Sequence, residues 1–171
     1  MPEIFRTRDV VVIFKGRTTP MAITPAMVTA GWPGGQGVMW FDSPNDQLQV
    51  DFSDGERGAG FCLWGSSEDS DVLTAITEHQ LAYSGNAVIG SGGWIIMTRI
   101  FETLTLASAR TVPILYTPGD KLLWSLRGLI TNEDEWTVSA DPRAPNDYFI
   151  GFVSQPPSAI TEGYMTAHLT L

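Results

Sequence analysis

The chain has 171 residues, a net charge of −9, only 17% charged side chains, and 17 glycines and 11 prolines spread along its length. That length buries one core, so one domain is the natural count, with two small lobes meeting near Thr111 as the alternative. The negative sign argues against a nucleic-acid partner, which needs a basic stripe to displace phosphate counterions, and no apolar run approaches the roughly 18–20 residues of a membrane span.

The start, Met1-Pro2-Glu3-Ile4, lacks the basic and then apolar pattern of a secretory signal, so synthesis in a cytoplasm with no export address is expected. Residues 1–17 carry Arg6, Arg8, Lys15 and Arg17 against Glu3 and Asp9, a local excess of positive charge in an acidic chain. The run from Ile4 to Phe14 is apolar and rich in β-branched residues, which suits either an extended arm on an acidic partner or an ordinary first strand. Residues 1–24 are therefore read as an arm or strand and 25–171 as a β-rich body, with 25–110 and 111–171 as alternative sub-lobes.

Thr24-Pro25 followed by Gly31 supplies a capping hydroxyl, a proline at the first helical position and a closing glycine, which predicts a short helical turn. Strands are predicted near 4–14, 37–42, 47–53, 58–64, 87–90, 93–106, 111–116, 120–125, 135–139, 147–154 and 162–170. Ser43-Pro44-Asn45-Asp46 and Asp54-Gly55 read as hairpin signals, and Thr117-Pro118-Gly119-Asp120 as a type II turn. Between Asp71 and Tyr83 apolar residues recur at three-to-four spacing, which predicts one short helix lying on a sheet. The run from Gly93 to Leu106 is apolar on both alternating faces, so it is expected to be covered twice, by its own domain and by a neighbouring copy at Trp94, Ile96 and Ile100.

Two stretches share one plan. Gly37–Asp42, 60–64 and 93–99 answer to 119–125, 148–154 and 163–169: a glycine-led apolar strand with a tryptophan, then a second apolar run, then a glycine-aromatic strand. The fold expected is mainly β, a sandwich or barrel-like body with a duplicated strand plan and one short helix. Trp40, Trp64, Trp94 and Trp124 fall at matching places and are read as core or interface, while Trp32 and Trp136, in turn-rich or acidic stretches, are the candidates for exposed aromatic contacts.

The search for chemistry finds little. Cys62 is a single cysteine inside an apolar strand, so a buried small hydrophobe is expected. Two histidines, His79 and His168, fall short of a multi-histidine metal cage, and both are read as structural. Gly90-Ser91-Gly92-Gly93 lacks the spacing of a nucleophile elbow and reads as a bend. The acidic clusters at Asp42/Asp46, Asp51/Asp54/Glu56, Glu68/Asp69/Asp71 and Glu133/Asp134/Glu135 match no calcium-loop template and read as solvated turns. A glycosidase pair is defined by distance in space and stays open at this level. No catalytic residue, cofactor or metal is assigned.

The stretch Val112 to Asn132, with Pro118-Gly119-Asp120, the apolar pair Leu122-Leu123 and the Gly128-Leu129-Ile130-Thr131 turn, followed by Ile150-Gly151-Phe152-Val153, resembles the head decoration, or cement, proteins of tailed bacteriophages. The resemblance covers residues 105–171 well and 34–101 loosely. It implies a virion structural protein on the outer capsid surface, assembled in the host cytoplasm, with the major capsid protein and its own copies in a homotrimer as partners, and neither nucleic acid nor membrane. Under that reading Ile4, Phe5, Arg6, Arg8 and Lys15 are the capsid-contact candidates. A tail or fibre component, and a carbohydrate-binding or glycosidase domain using Trp32 and Trp136, are the alternatives.

Overall fold

The computed structural model describes residues 9–42, 48–55, 58–65, 86–133, 135 and 149–170. In chain order they form β1 (Val10–Phe14), β2 (Arg17–Ala22), α1 (Pro25–Ala30), β3 (Gly37–Asp42), β4 (Leu48–Phe52), β5 (Gly60–Cys62), β6 (Asn86–Ser91), β7 (Trp94–Thr98), a 3₁₀ turn at Leu106–Ser108, β8 (Lys121–Trp124), β9 (Ile130–Thr131), β10 (Gly151–Gln155) and β11 (Met165–Leu169). The fold is mainly β: a six-stranded antiparallel sheet, β1-β7-β11-β10-β8-β9, packs against a five-stranded one, β2-β6-β5-β3-β4.

One bent ribbon joins the two sheets. Residues 10–14 pair with 95–98, and residues 17–22 then pair with 86–91, so the same two chain segments run through both sheets. The bend falls at Lys15-Gly16 and Gly92-Gly93, after a bulge between Val12 and Phe14. Corners of this kind need small residues: a Cβ on Gly16 would lie 2.5 Å from Trp94 Nε1, and one on Gly90 would lie 2.8 Å from the Phe61 ring. Pro20, which has no N–H to donate, sits in β2 at the edge of its sheet.

Alternation along β5 and β6 builds two cores. Phe61, Leu63 and Val88 face the six-stranded sheet and join Trp94, Ile96, Leu122, Trp124 and Met165, with Phe61 edge-on to Trp94 at 5.3 Å. Cys62, Ala87 and Ile89 point the other way, into a second core with Val38, Val50 and Met27. That second core is almost enclosed, because Ile23 bridges Val50 and the Thr24 N–H donates to the Val50 carbonyl at 3.1 Å, drawing the edge strands β2 and β4 together. Helix α1 stoppers it, capped by the Thr24 hydroxyl on the Met27 N–H (3.2 Å) and closed at Gly31, as the capping signals predict.

The turn at Thr117–Asp120 has Gly119 at φ 90 and the Asp120 N–H on the Thr117 carbonyl at 3.1 Å. The paired strands flanking residues 43–47 likewise form the expected hairpin.

Other expectations change. The duplicated plan holds for its first two members, since β3 pairs with β5 and β8 with β10, but the third members β7 and β11 pair with each other. Because β7 and β11 share five paired positions, the segments 25–110 and 111–171 contribute to one sheet rather than to two lobes. From Val10 onward the segment 1–24 is integral to both sheets, with Val10 and Val12 in the core. The strand expected over 93–106 stops at Thr98, whose hydroxyl accepts from the Ile100 N–H at 2.9 Å and turns the chain away. The segment 111–116 forms no strand and carries an isolated bridge, Leu104 to Pro113. The helix predicted over 71–83 and the strand over 135–139 lie largely or wholly outside the described residues.

Candidate functional site

Strand alternation on the six-stranded sheet sends Val10, Val12, Trp94, Ile96, Leu122, Trp124, Val153, Ala167 and Leu169 inward, so their neighbours must face out. Those neighbours are unusually apolar. Register places Phe14 beside Ile95, Ile95 beside His168, His168 beside Phe152 and Phe152 beside Lys121, one row crossing five strands. Phe14 is 60% exposed, Ile13 47% and Phe152 42%, and the Phe152 ring stacks on His168 at 5.2 Å. Phe149 continues the patch, with Lys121 Nζ 6.0 Å from its ring centre.

Charge singles out the same face. The strands of this sheet contain no aspartate or glutamate, and Lys121 is their one lysine or arginine, in a chain with 19 acidic residues. A shallow depression of about 270 Å³ lies between Phe14, Ile95, Phe152 and His168. Around the sheet corner a second depression, of about 640 Å³, is lined by Arg17, Ser91, Gly92 and the same Phe14 and Gly93. Covering a half-buried Phe or Ile returns about half of the ~1.5–3 kcal/mol of a full burial, so several together make an adhesive surface.

The other polar centre is a clamp. Buried Glu102 accepts from Arg127 Nε at 3.0 Å and Arg110 Nη1 at 2.9 Å, with a further bond from Arg127 Nη2. Buried Glu135 accepts from Arg110 Nη2 at 3.1 Å and from the Leu126 N–H at 2.9 Å. Every oxygen of this acid pair therefore carries a donor. Burial by itself raises the Glu102 carboxyl, but the bonds and charge of Arg127 and Arg110 bring it below its ordinary range. For Glu135 burial prevails over the Leu126 N–H and Arg110, and its carboxyl is raised. The clamp ties the 102–116 segment to the 125–135 segment, and the Tyr116 hydroxyl, donating to the Glu102 carbonyl at 2.6 Å, holds the first of these segments onto itself.

The residues singled out by sequence fall elsewhere than expected. Trp94 and Ile96, expected between copies, are 1% and 0% exposed and belong to this chain's own core; the outward side chains of the same strand are Ile95 and Met97. Ile100 is half-buried beyond the strand, near Gly35. Trp32, expected to be exposed, is 6% exposed in the second core, its indole N–H donating to the Trp64 carbonyl at 2.9 Å. Trp64 and Trp124 are core as expected, whereas Trp40 is exposed on β3. Lys15 is exposed at the ribbon's bend; Ile4, Phe5, Arg6, Arg8 and Trp136 lie outside the described residues. Cys62 is buried, and burial pushes its thiol up. The row from Phe14 to Phe152 was missed because each strand looks ordinary alone; apolar residues on both alternating faces of 93–98 were the available signal.

Compared with known proteins, no family model, curated protein or solved structure matches the chain.

Proposed function

We propose that this chain is a virion structural protein, a decoration or cement protein that binds the outside of a phage head and strengthens contacts between major capsid subunits. The observation that carries the reading is the outer face of the six-stranded sheet, where exposed Ile13, Phe14 and Phe152 stand on or beside strands that carry no aspartate or glutamate, in a body of net charge −9. Such a face adheres by burying apolar area, and its lysine-bearing end favours an acidic counter-surface. Capsid contacts are assigned to this face together with Lys15 and the preceding Ile4, Phe5, Arg6 and Arg8. The resemblance of residues 105–171 to cement proteins supports the same class.

A homotrimer over a local threefold axis would present three such faces at once. Each raises the effective concentration of the others, so firm retention needs no single tight contact. The carbohydrate alternative loses ground because Trp32, one of its two aromatic platforms, is buried. The test is to mix the purified protein with expanded heads that lack it. Regular knobs over the head surface and a trimeric native mass are expected. A protein that stays in the supernatant, or decorates tails instead, would remove the reading. Deleting residues 2–9 is expected to lower occupancy; unchanged occupancy takes the leading segment out of the contact and leaves the sheet face alone.

A further inference from the structure

The two depressions of the sheet corner share Phe14 and Gly93 and form one groove around the bend. Glycines floor it, and two of the three have reasons inside the fold. Gly16 is forced by the Trp94 ring, and Gly92 has φ 79. Gly93 has neither: a Cβ there would meet nothing within 4 Å, and its φ is not in the left-handed region. The missing side chain leaves open space above the bend, with room for a close approach by another backbone.

Charge indicates what approaches. Exposed Arg17 lies at one end of the groove and exposed Lys121 at the far end of the row, and no carboxylate stands on the strands between them. The row from Phe14 on β1 to Lys121 on β8 crosses four inter-strand spacings, about 19 Å at ~4.8 Å each, which an extended chain covers in about six residues.

We infer that this groove binds an extended segment of a partner protein, apolar over the about six residues that cross the strands and acidic at both ends, one end beside Lys121 and the other reaching round the bend to Arg17, with its backbone over Gly93. The inference rests on the adhesive reading above and names the part of the capsid subunit that this face would meet.

Two measurements test it on the full chain. In the first, Gly93→Gln fills the groove without a clash in the fold, so its melting temperature should stay near that of the parent, while occupancy on expanded heads falls at least tenfold. Full occupancy by a folded Gly93→Gln overturns the groove and leaves decoration standing. In the second, a fluorescent octapeptide with glutamate at each end and six apolar residues between is titrated against its lysine-ended twin. The acidic peptide should bind at least tenfold tighter, lose that binding in Gly93→Gln, and yield its advantage to the basic peptide in the double variant Arg17→Glu, Lys121→Glu. If the parent never binds heads, decoration fails and this titration alone decides the groove. Equal affinity for the two peptides overturns it, as does a parent dimer that Gly93→Gln dissociates, since the occupant is then a second copy.

Discussion

Two tryptophans of the main core show how much depends on one hydrogen bond. The Trp94 indole N–H donates to the Ser91 carbonyl at 2.9 Å, whereas the buried Trp124 N–H meets no acceptor among the described residues. An orphaned buried donor costs about 1–3 kcal/mol, which offsets much of the volume lost on truncation. Trp124→Phe should therefore be milder than Trp94→Phe by at least about 1 kcal/mol in urea unfolding. The clamp acids separate by pH. Glu102 has a depressed folded value, so the stability it adds is present at neutral pH and lost as pH falls below about 4.5, its ordinary value. Glu135 is raised, so it is protonated more readily in the folded state and adds stability as pH falls from neutral towards 4.5. Glu102→Gln should cost about 3 kcal/mol at pH 7 and flatten the acid limb of a stability–pH curve. Glu135→Gln should steepen the net loss on acidification.

Among the elements, the bent ribbon controls the architecture. Its inner side is tight enough that Gly90→Ala would drive a methyl into Phe61, an overpacking expected to cost about 1–3 kcal/mol in thermal or urea unfolding. Helix α1 has only six residues and depends on its cap, so Thr24→Ala should cost about 1 kcal/mol. These elements were unevenly legible. The capping signals gave α1, and Pro118-Gly119 gave its turn, because both act through neighbours in sequence. β2 was missed because Arg17-Thr18-Thr19-Pro20 has little apolar content and a proline, which is tolerable only at an edge, and edge position is a property of the assembled sheet.

For the whole molecule, the shared strands matter most. Successive residues of β5 and β6 feed opposite cores, and β7 stitches β1 to β11, so neither core keeps its walls if the other melts. Calorimetry should give one transition with equal van't Hoff and calorimetric enthalpies, and the separate pieces 25–110 and 111–171 should fail to fold. Two independent transitions would show that the cores are separable. Phe152 stands outside both cores but is already more than half buried against its sheet neighbours, so Phe152→Ser should cost about 1 kcal/mol in urea unfolding while weakening adhesion to expanded heads.

Sequence by itself determined the strand-rich class, the capped helical turn, the tight turns and the burial of Cys62, because local propensity and alternation are written in residues close together along the chain. Only the tertiary structure decided which tryptophans are core, that the acid pair is locked by two arginines, and that Phe14, Ile95, His168, Phe152 and Lys121 stand in one row. Those outcomes depend on register between strands as much as 154 positions apart, from Phe14 to His168, and register is settled by which faces the assembled cores bury.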